Sequence, residues 1–282
     1  MMAPQAEGEH LTIPFDDMAF VARTTQLARE AGDIALAYFR RGERTTAAVE
    51  HKEGGSPVTE ADRRVDDFLR ARLPLLEADA GWLSEETIDD RERLSRRRVF
   101  VVDPIDGTRA FMAGDPRWGV CIALVEAGRP VVGVVHMPAL EATYVAAVGR
   151  GALLNGAPMA VAVRQAIDNA LIAGPPSILR ALAADGLPFQ TEPRIPSLAY
   201  RLVRVAEGAL DIGIASTNAC DWDIAAADII IEESGGKLLD TEGRSPVYNR
   251  SETRHGVLCA APARLQPDIS MALRRALAGT TA

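Results

Sequence analysis

Val99-Phe100-Val101-Val102-Asp103-Pro104-Ile105-Asp106-Gly107-Thr108 is the stretch that says most about this chain. Four apolar residues, three of them β-branched, read as a buried strand over Val99 to Val102, which delivers Asp103 at its tip. Asp106 follows three residues on, across a proline that fixes its own φ and narrows the backbone choices of Asp103. Gly107 allows unusual dihedrals or a close backbone approach. Two carboxylates so placed can share hard cations, and the N–H groups of Gly107 and Thr108 can face an anion if a helix begins there. Taken alone, residues 103–108 also suit an ordinary acidic turn.

Outward from this strand, the first half reads as two helices on a largely antiparallel sheet. Residues 16 to 41 carry Leu27, Ala31, Ile34 and Tyr38 at three- and four-residue steps, with Gly42 placed to end the helix. A polar loop with Gly54, Gly55 and Pro57 leads to a second helix opening at Thr59, with Val65, Phe68, Leu69 and Leu73 on one face; Pro74 should kink or end it. Further strands are expected over Trp118–Val125, Val131–Met137 and Thr143–Val148, and Asn155-Gly156 marks a hairpin. The second half alternates. Strands are expected over Ala170–Ala173, Asp211–Ala215, Lys237–Asp240 and Gly256–Ala261, with helices over Ser197–Glu207, Ile224–Ser234 and 265–278. Such alternation favours an α/β layer. The expected division is an N-terminal α+β subdomain over 15–160 and a C-terminal α/β subdomain over 161–282, with a soft boundary near 150–168.

Three other acidic segments stand out. Trp82-Leu83-Ser84-Glu85-Glu86-Thr87 pairs two acids after an apolar stretch and also suits an exposed acidic loop. In Trp222-Asp223-Ile224-Ala225-Ala226-Ala227-Asp228, Asp223 sits at the mouth of an apolar helix, where a plain N-cap is the competing reading. Asp228 falls inside that helix and reads as structural. In Ser56-Pro57-Val58-Thr59-Glu60-Ala61-Asp62, Thr59 with Asp62 makes a capping box.

Composition narrows the partners. The 282 residues are 48% hydrophobic and 25% charged, which excludes a disordered chain. A net charge of −8 argues against nucleic acid and anionic membrane as partners. A small anionic substrate stays open, because bound divalent cations reverse the local field. Cys121, Cys220 and Cys259 are scattered in apolar stretches, without the pairing of a zinc site or disulfide frame, and read as buried small hydrophobes. With no secretory signal in Met1 to His10 and no apolar run of membrane length, a cytoplasmic protein is expected.

Together the four acidic segments resemble the inositol monophosphatase superfamily, the lithium-sensitive, magnesium-dependent phosphatases. Asp103 to Thr108, continuing through Phe111, matches its first signature, and Trp222 to Gly236 matches the second. The resemblance spans about residues 20 to 262 and implies a layered α-β-α-β-α sandwich with a second, mixed sheet. It implies phosphoric monoester hydrolysis with two or three magnesium ions per site. Glu85, Asp103 and the Ile105 carbonyl would hold the first ion, and Asp103, Asp106 and Asp223 the second. Asp62 and Thr108 would orient the attacking water, Glu85 would join them in catalysis, and the Gly107 and Thr108 amides would hold the phosphate. A homodimer is likewise implied.

Two departures touch substrate choice: Ala113 replaces a small polar or basic residue, and the segment between about 165 and 197 is short. Ser216 stands where inositol monophosphatases carry a glutamate, seven residues before Asp223. A neutral hydroxyl holds a polyol less firmly than a carboxylate. Lys52 to Asp62 and Pro196–Asp211 look more like bacterial 3'(2'),5'-bisphosphate nucleotidases, which makes adenosine 3',5'-bisphosphate the first expected substrate. Inositol 1-phosphate and a broad range of sugar phosphates follow. A catalytically dead metal-binding regulator is disfavoured by the intact acidic set. Arg254-His255-Gly256 spells a phosphohistidine phosphatase tripeptide, but it precedes the last strand and lacks a second catalytic histidine. Gly149-Arg150-Gly151 lacks the third glycine of a dinucleotide loop.

Overall fold

A computed structural model describes residues 15–52 and 55–278; Met1 to His10 and Gly54 lie outside the described residues. Helix α1 (Met18–Leu36) opens where Asp17 accepts the N–H of Phe20 at 2.8 Å. It is shorter than the expected 16–41 and does not end at Gly42. The chain turns after Leu36 to bury Phe39 beside Phe111 and Trp118, with ring centroids 5.9 and 5.4 Å away. A small hairpin, β1 (Val49–His51) and β2 (Pro57–Thr59), precedes α2 (Glu60–Arg72). Pro74 acts as anticipated: α2 stops and a 3₁₀ turn, Leu73–Leu75, takes over.

The first sheet has seven strands in chain order: β3 (Gly81–Ser84), β4 (Arg98–Asp106), β5 (Gly119–Glu126), β6 (Arg129–Met137), β7 (Ala142–Ala147), β8 (Ala152–Leu154) and β9 (Ala157–Met159). β3 runs parallel to β4 and every later pair is antiparallel. The β8–β9 turn is Asn155-Gly156, at φ 51° and 83°, as a two-residue hairpin requires. Between β4 and β5 lies α3 (Thr108–Ala113).

The second sheet is mixed, in the order β11-β10-β12-β14-β13: β10 (Ala170–Ala173), β11 (Phe189–Thr191), β12 (Ile212–Ala215), β13 (Gly236–Asp240) and β14 (Leu258–Pro262). β10 is parallel to both neighbours, while β14 is antiparallel to β12 and β13. The remaining helices are α4 (Pro176–Ala184), α5 (Leu198–Ala206), α6 (Asp221–Glu233) and α7 (Gln266–Ala278).

Among the described residues three hydrophobic cores hold five layers together. One lies between α1, α2 and the first sheet, around Leu27, Val65, Phe100 and Trp118. The second fills the space between the sheets, where α5 and α6 pack, and the third lies between the second sheet and α4 with α7. The order is therefore α-β-α-β-α, as the resemblance implied. α6 is apolar nearly all round because both sheets cover it: Ile224, Ala225, Ala226, Ala227, Ile229, Ile230 and Ile231 are all buried. Each isoleucine so covered contributes on the order of 1.5–3 kcal/mol. The helix also sits hard on β6, since a Cβ at Gly133 would lie 2.4 Å from the Ala226 carbonyl oxygen and the Ile229 side chain. Among the described residues no helix is long and apolar enough to cross a membrane.

Candidate active site

β4 does not end at Asp103. It runs on to Asp106, with its pairing to β5 broken between them: Asp103 faces Cys121 and Asp106 faces Gly119. Pro104 has no N–H to give to a ladder, so the register slips there. The slip lets one strand end present two buried carboxylates. Asp103 is 1% exposed and accepts the Ile105 N–H at 3.0 Å. Gly107 then takes φ 93° and starts α3; a Cβ there would meet the Arg117 carbonyl oxygen and Ser197 at 3.3 Å.

Glu85 follows β3, and its N–H donates to the Val102 carbonyl at 3.2 Å. Asp223 lies in the first turn of α6, where it accepts the Cys220 N–H at 2.6 Å. One oxygen each of Glu85, Asp103 and Asp223 lies within 4.8 Å of the others. Three hard oxygen donors converging in a largely buried place suit a divalent cation such as magnesium. The electrostatics agree. Burial, then the charges of Glu85, Asp106 and Asp223, push the Asp103 carboxyl well above the usual range. Burial and Asp106 do the same to Asp223. Crowded carboxylates of this kind are stabilised by a cation between them.

Asp106 stands beside this trio but is engaged elsewhere. Ser197 Oγ donates to its Oδ2, the Ala199 N–H reaches the same oxygen at 2.8 Å, and the Leu198 N–H reaches Oδ1 at 3.2 Å. Asp106 thus caps α5 from 91 residues away, sharing that task with Ser197, which accepts the Tyr200 N–H at 3.0 Å. Burial lifts Asp106 to about 6, with these bonds opposing the rise.

On the other side, Asp62 Oδ2 accepts the Thr59 N–H at 2.8 Å and the Thr59 hydroxyl at 2.5 Å, which completes the capping box of α2. Its Oδ1 faces the Thr108 hydroxyl at 3.3 Å. Thr108 Oγ1 also lies 3.1 Å from the Ile105 carbonyl oxygen, so one proton has two acceptors. Burial raises Asp62 to about 6 against the bonds from Thr59.

Lys52 and Asp66 are neighbours of the site that no sequence pattern marks. Lys52 Nζ lies 3.0 Å from Glu85 Oε1 and 2.8 Å from Glu86 Oε1. Burial disfavours the ammonium, but the two glutamates outweigh that and raise its pKa. Glu86, desolvated, sits at about 7. Asp66 on α2 holds the Glu85 loop by accepting the hydroxyls of Ser84 and Thr87 at 2.5 and 2.7 Å. Cys220 is half-buried at the N-cap of α6 and is not a core residue; Cys121 and Cys259 are buried as expected. Asp228 is structural: Tyr248 donates its hydroxyl to Oδ2 at 2.8 Å.

Known proteins share this arrangement of fold and sequence. A model of the inositol monophosphatase family matches residues 16–278. The chain is 32% identical over 238 residues to the 3'(2'),5'-bisphosphate nucleotidase CysQ of Aggregatibacter actinomycetemcomitans, covering 81% of this chain and 87% of that one. It is 35% identical over 235 residues to a histidinol-phosphatase of Chlorobaculum parvum, with 79% and 86% covered. To an inositol-1-monophosphatase of Mesorhizobium japonicum it is 34% identical over 230 residues, with 77% and 84% covered. The extragenic suppressor protein suhB of Bartonella henselae superposes with a TM-score of 0.78 at 27% identity, covering 91% of this chain and 99% of that one. Fold, site and relatives define a phosphoric monoester hydrolase. The chain belongs to the inositol monophosphatase family.

Proposed function

We propose that the protein is a magnesium-dependent phosphomonoesterase acting on a small soluble phosphate ester, with adenosine 3',5'-bisphosphate as the substrate it fits best. The observation that carries this reading is the convergence of Glu85, Asp103 and Asp223 within 4.8 Å, with the Asp62–Thr108 contact alongside. Glu85, Asp103, Asp223 and the Ile105 carbonyl would hold the ions, with Asp106 supplying further negative charge. Bound divalent cations lower the pKa of a water and steady the leaving oxygen of an in-line displacement.

The chain's own groups do the rest. When Thr108 Oγ1 donates to Asp62 Oδ1, its lone pairs are left to accept from a water and fix its orientation. The Asp62 carboxylate is held in place for this by its two bonds from Thr59. The Gly107 and Thr108 N–H groups at the start of α3 would face phosphate oxygens, while the Ala110 N–H is taken by the Gly107 carbonyl at 2.8 Å. Lithium sensitivity belongs to the same reading.

Substrate choice rests on the outer rim. Ser216 brings no carboxylate to hold a polyol, which disfavours inositol 1-phosphate. Arg254 is exposed, bridges Cys220 through the backbone, and its charge reaches the Cys220 thiol; such a cation suits the second phosphate of a bisphosphate. The likeness to histidinol-phosphatases supports a second reading, histidinol phosphate. A phosphate-release panel with magnesium decides among adenosine 3',5'-bisphosphate, inositol 1-phosphate, histidinol phosphate and fructose 1,6-bisphosphate. The highest kcat/KM should belong to the first; a preference of tenfold or more for another ester overturns the assignment.

A further inference from the structure

A second set of polar groups, of which Arg93 and Asp221 are buried, Asn249 is partly buried and Asp89 is exposed, is used by none of these steps. Arg93, 2% exposed, donates from Nε and Nη2 to the two oxygens of Asp89 at 2.6 and 2.9 Å. Its Nη1 reaches Asn249 Oδ1 at 2.7 Å, and Nη1 and Nη2 both reach the Arg250 carbonyl oxygen at 3.1 Å. All five guanidinium N–H groups therefore have acceptors, the condition under which a buried arginine is tolerated. Asn249 returns a bond from Nδ2 to the Arg93 carbonyl oxygen at 3.2 Å, and its backbone N–H donates to Asp221 Oδ2 at 2.8 Å.

Asp221 is fully buried and opens α6, two residues before Asp223. Its Oδ1 lies 2.7 Å from His255 Nε2, and since the carboxylate is the acceptor, Nε2 carries the proton. The backbone binds the same parts together. The Asp221 N–H donates to the Thr253 carbonyl at 2.9 Å, that of His255 to Ala219 at 2.8 Å, and that of Asn218 to His255 at 2.9 Å. Asp89 and Arg93 belong to the segment that follows Glu85. A continuous path thus runs from the Glu85 segment through Asp89, Arg93, Asn249 and Asp221 to the first turn of α6. Its two ends carry two of the three carboxylates of the trio. Like charges held close together push their supports apart, and this path ties those supports to each other.

We propose that Arg93, Asn249 and His255 are positioning residues for the acidic trio. They lock the Glu85 segment and the first turn of α6 into one frame, and so set the spacing of Glu85 and Asp223 about Asp103. The proposal rests on the reading of that trio as a divalent-cation site.

Calorimetric titration of magnesium into the metal-stripped full chain tests it without reference to turnover. Asn249→Gly removes both bonds to Arg93 while keeping the backbone N–H and the left-handed φ of 55°. His255→Ala removes the bond to Asp221, and His255→Gln restores an N–H donor. The glycine and alanine variants should bind magnesium about 10-fold more weakly, and His255→Gln within about 3-fold of the parent, in line with losses seen when partners of metal ligands are removed. Ile269→Ala, on the buried face of α7 and outside the path, supplies a destabilised variant that should bind as the parent does. If Asn249→Gly and His255→Ala melt early yet bind magnesium as tightly as the parent, or no more weakly than Ile269→Ala, the proposal is overturned. If Asp223→Asn binds as tightly as the parent, the trio itself is not the cation site and the underlying reading has failed.

Discussion

Asp62 divides its carboxylate between two elements: Oδ2 closes the N-terminus of α2 through Thr59, and Oδ1 meets the Thr108 hydroxyl at the start of α3, 46 residues away. Cap and candidate relay are thus one residue. Asp62→Asn keeps an acceptor for the Thr59 N–H and should leave stability within about 1 kcal/mol of the parent, while lowering kcat by on the order of 10²-fold through the relay. Thr108→Ala should lower kcat similarly, with KM nearly unchanged and little loss of stability. Their kinetic effects should be strongly non-additive, since either change breaks the same contact. A double-mutant cycle in kcat checks this. Additive losses, or near-normal turnover in Asp62→Asn, would leave Asp62 as a cap only.

Asp228 offers a pH test of stability away from the chemistry. Burial raises its carboxyl from 3.8 to about 7, although Tyr248 donates to it. Between those values the folded chain keeps a proton that the unfolded chain has released. Stability is fully supported below about pH 4 and is lost as pH rises through about 7. Asp228→Asn keeps an acceptor for Tyr248 and removes the titration. In urea denaturation it should match the parent near pH 4 and exceed it at pH 8 by on the order of 1 kcal/mol or more, with turnover within a few-fold. A variant less stable than the parent at pH 8 would contradict the assignment of Asp228 as a charge buried at a cost.

Arg254 separates the candidate substrates. Arg254→Ala should raise KM for adenosine 3',5'-bisphosphate by about 10-fold, as expected for one lost charge-assisted contact to phosphate, and leave KM for inositol 1-phosphate within about 2-fold. An equal effect on both esters would mean that Arg254 acts on the field of the site and not on a second phosphate.

The helices and strands around the site were legible where apolar residues run on or recur at a helical step. Ala170–Ala173 forms as expected, and α6 and α7 shift by at most a few residues. β3 is not marked in the sequence, because only Trp82 and Leu83 of Gly81-Trp82-Leu83-Ser84 make an apolar run and its ladder comes only from β4. α4 and β11 lie in the short 165–197 segment, where only Ala170–Ala173 is expected; Pro176 is the first residue of α4, a place that needs no N–H. The apolar run puts Asp103 at the tip of its strand, whereas β4 continues through Pro104 to Asp106. Local sequence also shows Ser197 capping its own helix, but not that Asp106 joins it from across the fold. Lys52, Asp66 and Asp221 reach the site through contacts whose partners lie 18 or more residues away, and no local pattern marks them.

The most direct test of the central claim, that Glu85, Asp103 and Asp223 seat a cation-dependent phosphatase, is phosphate release from adenosine 3',5'-bisphosphate across a magnesium titration. Parent and Asp103→Asn chains are compared after EDTA treatment. The parent should be inactive without added metal, recover fully with magnesium and only poorly with calcium, whose larger radius and looser coordination misplace the reacting oxygens. Asp103→Asn should stay at least about 10²-fold below the parent at saturating magnesium. Full turnover by the demetallated parent, or near-parental turnover by Asp103→Asn, would contradict the account.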